Sequence, residues 1–417
     1  MTLPPSVLEN DSEPRTSIRD IVERYRPVFD EIGAGAVARE NERRLPFAEV
    51  ELLRASGFTR VTLPRELGGD AVDHLALFEL LAELARRDPN VAQLLRSHFA
   101  FIDRTLHGEA PPTARARLAR IAAGAIYGNA TFERGSASVG SYATTLTRDE
   151  RGQRPDGRKF YSTGTLFADV VGVLATPDAT TGLGPDPVSV LVATDAPGLT
   201  RVDDWDGFGQ RMTGSGSTIF DGVRVAAGDV LARAAVPGHA GAFVQLVLLA
   251  ALTGIGRAVV DDAARFARER TRSYSHASAD RPRHDPIVQE VVGDLSAASF
   301  AADAALTRAV TALQRAAEAQ HPHSSSGEDD RTAAIAAADL ATAQAQLVVI
   351  PAVLRAATDL FEVGGASALG ESLALDRHWR NARALSSHNP ARYKARIVGD
   401  HLINSTPIVA WWTSGEA

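Results

Sequence analysis

The stretch from Asp376 to Lys394, DRHWRNARALSSHNPARYK, concentrates side chains able to bind, donate or relay protons. Arg377, Arg380 and Arg383 recur every three residues, so on a helix they form one cationic stripe. Asn389-Pro390 predicts the end of that helix just after His388, because a residue preceding proline is driven out of the helical region. An imidazole held at a helix end can relay a proton near neutrality, its unperturbed pKa being about 6.5. Arginine stripes also form ordinary salt-bridged faces and lone histidines are commonly structural, so spacing alone leaves both readings open.

A second set consists of short polar residues in clusters: Asn129-Ala-Thr131, Ser162-Thr163-Gly164 and Thr213-Gly-Ser215-Gly-Ser217, with Trp205 between them. Short side chains let backbone amides approach a flat, polar-edged ring, hydroxyls donate or accept, and an indole covers a ring face. The same residues are also ordinary strand ends and turns. Tyr161 and Phe208 could shape such a pocket. His98 shares a helical face with Leu94, Leu95 and Phe101, which suits packing, with the substrate side as its other use. His321 and His323 are spaced as a weak metal pair, but no acids or further histidines flank them, and no metal site is expected.

Composition narrows the classes. The 417 residues carry 44 Lys+Arg against 51 Asp+Glu, a net charge of −7 that gives no basic field for nucleic acid. With 45% hydrophobic residues the chain can bury a large core divided among subdomains. It has no cysteine, so thiolate, disulfide, iron–sulfur and cysteine–zinc chemistry are excluded and redox work would need a bound organic cofactor. The acidic, proline-bearing start is unlike a signal peptide and no apolar stretch reads as long enough for a membrane, so a cytoplasmic protein without membrane partner is expected. Gly207-Phe-Gly209 and Gly254-Ile-Gly256 lack the third glycine of a dinucleotide fingerprint. Walker, His-Glu-x-x-His and Gly-x-Ser-x-Gly motifs are absent too.

The elements that must position these residues come in three blocks. Residues 1–16 read as a disordered lead-in, 17–125 as a helical domain, 126–231 as a β domain of short alternating runs, and 232–417 as a helical bundle. The runs YGNATF, YATTLTR, RKFYSTG, DVVGVLAT, VSVLVAT, STIF and GVRV are the expected strands. NVAQLLRSHFAFIDRTLHG is expected as one helix, and residues 316–331 as a flexible loop between bundle helices.

In this order the segments resemble the acyl-CoA dehydrogenase superfamily along nearly the whole chain. LPRELGG, NATFERGS, GRKFYSTG, FGQRMTGSGST, FDGVRV and LFEVGGASAL carry the likeness. DDWDGFGQR, FYSTGTLFAD and DRHWRNAR followed by Ser-x-His-x-Pro bring it closer to the flavin-dependent monooxygenase branch, of the dibenzothiophene monooxygenase and sulfur-acquisition type. Where the dehydrogenases are expected to carry a Tyr-Glu pair supplying the proton-abstracting carboxylate, this chain has His388 and Asn389.

The resemblance implies an α+β fold: an N-terminal helical domain, a central β-barrel or sandwich, and a C-terminal four-helix bundle. It implies a two-component monooxygenase working through a flavin C4a-hydroperoxide, with reduced FMN as cofactor and FAD as the other option. A separate NAD(P)H:flavin reductase, a small sulfur- or nitrogen-containing or heteroaromatic substrate, O2 and a homotetramer are the implied partners. His388 would stabilise the oxygenated flavin, Thr163 would sit beside flavin N5, Asn129 and Thr131 along the ring edge with Ser162, and Trp205 would wall the pocket. Ser215 and Arg272 would reach the ribityl phosphate, the latter across a subunit boundary, where Gly364 and Gly365 add amides. Relatives carry a second catalytic histidine where this chain has Gln93. A dehydrogenase with a relocated base and a catalytically silent assembly partner are the alternatives.

Overall fold

The computed structural model describes residues 17–108, 111–135, 142–231, 238–321 and 324–408, so the expected lead-in 1–16 and His323 lie outside the described residues. The first block is helical: α1 (Ile18–Ala34), α2 (Ala36–Glu42), α3 (Phe47–Ser56), α4 (His74–Arg87), α5 (Pro89–Leu94), α6 (Arg96–Gly108) and α7 (Pro111–Ala122). Asp73 caps α4 by accepting from the Ala76 amide, and Gly57 ends α3 in the left-handed region at φ 84°. The single helix expected over 90–108 is divided at Leu95. Asp88 starts its first half, accepting from the Asn90 amide at 3.0 Å, with Pro89 in the first turn.

Between Ala122 and Tyr127 the chain changes from helix to strand. The strands are β1 (Tyr127–Ala130), β2 (Thr145–Asp149), β3 (Gly152–Phe160), β4 (Val170–Pro177), β5 (Val188–Ala193), β6 (Leu199–Val202), β7 (Ser217–Phe220) and β8 (Val230–Leu231). They run β6-β7-β3-β2-β4-β5-β8, with β1 also on β4; the β1–β4 and β2–β4 pairs are parallel and the rest antiparallel. Leu146, Val171, Val173, Val190, Val192 and Phe220 form a small core of their own. Strands β6 and β8 escaped the sequence reading because they are short and weakly alternating. GVRV yields only an isolated bridge from Gln153 to Val225.

The last block is α8 (Ala240–Glu269), α9 (Pro286–Gln320), α10 (Glu328–Asp359), α11 (Asp376–Ser386) and α12 (Ala391–Asn404). Helices α9 and α10 take up most of the loop expected over 316–331 and leave only 321–327. Ala316 and Ala317 are buried in the bundle, and Glu328, Asp329 and Asp330 complement the amide end of α10. Gly254 lets α8 press on α4, since a Cβ there would lie 2.4 Å from the Ala82 carbonyl. Gly256, two residues on, has ordinary room, 3.4 Å to its nearest neighbour. The expectation that no stretch could span a membrane needs correction: α8 and the 328–363 segment are long and apolar enough by length and composition. The most apolar window of α8 is 78% buried within the protein, so its hydropathy belongs to the bundle core.

A buried polar knot joins these blocks. Both oxygens of Asp103 on α6 are bonded, one to His74 Nε2 on α4 and one to His239 Nε2 before α8, each at 2.7 Å, and His107 Nδ1 lies 3.3 Å away. His321, the histidine of the expected metal pair within the described residues, meets His107 edge-on at 5.9 Å. His74, Asp103 and His239 could hold a metal by spacing, yet their mutual hydrogen bonds already satisfy them. The backbone amide and Nδ1 of His239 both donate to Gln320 Oε1, and a carbonyl oxygen cannot donate back, so His239 is a donor at both nitrogens and carries a positive charge. Burial opposes that charge, but the Asp103 carboxylate outweighs it and raises the His239 pKa, while the histidine bonds hold Asp103 well below the carboxylate range against its own burial.

The stability this pair contributes is therefore complete below about pH 6.5, the unfolded histidine value, and is lost as pH rises through the raised folded value. Asp103 keeps its share until pH falls through its lowered value. Asp339 also faces His239, and its buried carboxyl, pushed up to about 7, titrates in the same window. Comparison with His239→Gln isolates the histidine: the urea midpoint of the wild type should fall relative to the variant between pH 6 and 9. Parallel curves would remove the charged pair from the account.

Candidate active site

The loop carrying Gly207-Phe-Gly-Gln-Arg211 is bolted to α11. Glu40, 2% exposed at the end of α2, accepts from Arg380 Nη1 at 2.5 Å and from Asn381 Nδ2 at 3.3 Å. Asn381 Oδ1 in turn accepts from the Gln210 amide at 2.6 Å, and Arg380 also donates to the Phe208 carbonyl at 3.1 Å. A Cβ at Gly209 would fall 2.0 Å from the Arg380 carbonyl, so only glycine permits this approach. Three parts of the chain thus set the direction in which α11 delivers His388.

Opposite this clamp lies the α5–α6 turn. Asp88 both caps α5 and binds the buried Arg39, and Asn90 Oδ1 accepts from the Met212 amide at 3.3 Å. Gly164 sits against the turn with φ 79°, where a Cβ would lie 2.2 Å from the Leu94 carbonyl. That contact sets the Ser162-Thr163-Gly164 segment against the α5–α6 turn, whose two helices carry Gln93 and Arg96. Thr163 Oγ1, Ser215 Oγ and Thr213 Oγ1 form a buried hydroxyl chain with steps of 2.8 and 2.7 Å. Asn129 Oδ1 accepts from Thr131 Oγ1 at 2.7 Å, and its carbonyl accepts from Thr165 at 3.1 Å. Ser162 Oγ, Gln93 Oε1 and Gln210 Oε1 are buried without a partner, the kind of open valence a polar-edged ring would satisfy.

His388 lies two residues beyond α11. Its Nε2 is 3.0 Å from Arg96 Nη1, and the neighbouring Asn389 donates to Gln245 of α8 at 3.4 Å. A guanidinium can only donate, so Nε2 accepts and the neutral ring carries its proton on Nδ1. The residue is exposed to solvent on one side although protein surrounds its other sides. Those surroundings, and then the Arg96 charge, push the imidazole below its ordinary range and keep it neutral at pH 7. Among the described residues no carboxylate bonds to His388 or Arg96.

Aromatic rings pair around the Trp205–Phe208 loop. Tyr161 meets Trp205 edge-on at 5.8 Å, and Phe208 stacks on Trp379 at 5.9 Å. Trp205 is braced by donating to the Gly209 carbonyl at 3.0 Å. Tyr161 and Phe208 are half exposed, so they face outward rather than filling a core.

Other expected residues fall elsewhere. His98 is fully buried, donates from Nε2 to the Thr59 carbonyl at 2.5 Å and accepts the Tyr127 amide at Nδ1, 3.2 Å away. Both nitrogens are consumed by backbone, so it pins α6 to β1 and does not line a substrate pocket. Ser215, expected near a phosphate, stands beside Thr163, with 2.8 Å between their hydroxyl oxygens. Arg272 is exposed, whereas Arg270 contacts the Val363 carbonyl at 3.4 Å and Tyr274. Gly364 and Gly365 lie beside Phe266 and Tyr274, at the far end of α8 from Gln245. The arginine stripe is largely structural: Arg377 binds Asp262 at 2.8 Å, Arg380 binds Glu40 and Asp376, and Arg383 is exposed. Glu40, Asn381 and Arg96 went unnoticed in the sequence, because nothing local marks a buried acid on α2 or a cation on α6 as partners of residues some three hundred positions away.

The chain is similar to known proteins along most of its length. Residues 246–393 match the family model of the acyl-CoA dehydrogenase C-terminal domain. A dibenzothiophene monooxygenase from Mycolicibacterium goodii is 30% identical over 88% of this chain and 89% of its own length. The probable FMNH2-dependent monooxygenase SfnC of Pseudomonas putida is 25% identical over 91% and 93%. The crystal structure of FMN-bound TdsC from Paenibacillus sp. A11-2 superposes with a TM-score of 0.84 at 24% identity, covering 94% of this chain and 98% of that one. With a relative of that identity matched along nearly its full length, the chain belongs to the dibenzothiophene monooxygenase family, flavin-dependent monooxygenases built on the acyl-CoA dehydrogenase fold.

Proposed function

We propose that this chain is the oxygenase of a two-component system, receiving reduced FMN from a separate NAD(P)H:flavin reductase and transferring one atom of O2 to a small sulfur- or nitrogen-containing substrate. Bound reduced flavin supplies the electrons and the activated oxygen. Thr163, Ser162, Asn129 and Thr131 would hold the ring edge, and Trp205 would cover it. His388 would offer its Nδ1–H to the reacting oxygen, while the Tyr161, Trp205, Phe208 and Trp379 rim keeps water out. The observation that carries this reading is the neutral imidazole set by Arg96, with no carboxylate bonded to either group among the described residues.

The phosphate end requires a second copy. Gln245, near His388, and Phe266, beside Gly364, are 21 residues apart on α8, about 30 Å at 1.5 Å per residue. One FMN cannot span that distance, so Gly364, Gly365 and Arg270 or Arg272 would serve a neighbouring protomer's flavin, in keeping with a homotetramer. The division into domains at about 125 and 231 and a cytoplasmic location belong to the same proposal.

A test mixes the protein, FMN, a generic flavin reductase with NADH, and 4-(methylthio)benzoate in air. Product heavier by one oxygen is expected. Anaerobic reduction of the flavin by an acyl-CoA thioester, without oxygenation, would instead favour the dehydrogenase.

A further inference from the structure

Arg96 stands apart from the other buried cations of this chain. It is 9% exposed, at the first position of α6. Arg39, 1% exposed, is held by Glu49 at 2.7 Å and Asp88 at 2.9 Å, and Lys159, fully buried, by Glu133 at 2.6 Å. Arg257, mostly buried, has Glu79, Glu83 and Asp303, and Lys394 feels the field of Asp339. For Arg96 no carboxylate lies within ion-pair distance among the described residues, and the one hydrogen bond found there goes to the neutral Nε2 of His388. A buried charge without a counter-charge is costly, and removing it from water is the sole influence on its pKa, which falls to about 10. The cation persists beside His388, two residues after the Leu94 carbonyl that Gly164 approaches.

We infer that Arg96 is a recognition site for a negatively charged group of the substrate, a carboxylate, sulfinate or sulfonate, so that this oxygenase acts on organic anions and discriminates against neutral ring compounds. The inference rests on the reading that His388 faces the reacting centre. A bound oxyanion supplies the missing counter-charge, and the planar guanidinium can engage two of its oxygens. Arg96 Nη1 meanwhile keeps its bond to His388, so the group that reads the substrate's charge also sets the tautomer of the imidazole. A neutral substrate of the same shape would leave the guanidinium buried and uncompensated, which converts into a preference of about tenfold or more for the anion. The second source of an oxyanion or anionic ring at this position is the reduced flavin itself, and the experiment separates the two.

Binding of benzoate and of its neutral isostere benzamide is measured by calorimetry on the full-length protein loaded with oxidised FMN, for wild type and Arg96→Gln. The expected result is benzoate at least about tenfold tighter than benzamide in the wild type, a preference abolished in the variant, and FMN affinity unchanged. Equal affinity for the two ligands in the wild type, or no binding of either, overturns the inference. Loss of FMN affinity in Arg96→Gln with the benzoate preference intact overturns it too, since the anion served is then the flavin. Should Arg96→Gln not fold, Arg96→Lys keeps the charge without the planar fork and should retain a weakened preference; the wild-type comparison decides by itself. Because this readout needs no turnover, failure to oxygenate 4-(methylthio)benzoate with the benzoate preference intact counts against the oxygenase reading alone.

Discussion

His388→Ala should fold, keep FMN, and lose substrate oxygenation by about a hundredfold or more, the contribution of a positioned proton donor. The electrons from reduced flavin would still reach oxygen, so hydrogen peroxide should rise to account for the missing product. The ring itself bears no weight in the fold: it belongs to the short link between α11 and α12, is exposed to solvent, and among the described residues its hydrogen bond is to Arg96. Folding is checked by circular dichroism, coupling by comparing product mass with peroxide released. Coupling equal to wild type would exclude the imidazole from the reaction. The low pKa adds a second readout. Because the folded ring stays neutral well below pH 6, the wild-type profile should show no acid limb near 6.5.

Glu40→Ala is expected to have the largest effect on stability, about 3–5 kcal/mol, as a buried acceptor of two bonds is removed and its partners are left behind. Arg380 retains Asp376, at 2.7 Å and half in solvent, whereas Asn381 loses its only bonded carboxylate. The consequence reaches the site, because Asn381 is the acceptor that fixes Gln210 and through it the Trp205–Phe208 loop. Turnover should therefore drop even at temperatures where the variant is folded. Glu40→Gln keeps the shape and one acceptor and should fall between. A denaturation curve for Glu40→Ala within 1 kcal/mol of wild type would show that α11 is positioned by other contacts.

Much of the active-site reading was legible because it depended on local rules. Asn389-Pro390 marked the helix end that α11 reaches at Ser386. The clusters at Thr163 and Ser215 drew attention as short polar groups, and they meet in one hydroxyl chain. Their division of labour was harder to read. Ser215 lies 52 positions from Thr163 in the chain, and the pairing of β3 with β7 brings their hydroxyls to 2.8 Å. The short helix α12 was missed because its tyrosine, lysine and histidine leave only a thin apolar face, with Lys394 and Val398 buried against α10.

What the sequence determined alone was the succession of helical, strand and helical blocks, the helix stops, and the presence of an imidazole where a carboxylate could have stood. These follow from periodicity, proline sterics and side-chain chemistry, all of which act over a few residues. Only the tertiary structure decided which charges are matched: Arg380 and Asn381 found Glu40, Arg377 found Asp262, His98 was consumed by backbone, and Arg96 was left facing His388 without an anion. Ion pairing and desolvation depend on groups brought together from distant positions, and no periodicity in the chain records which cation will be buried unpaired.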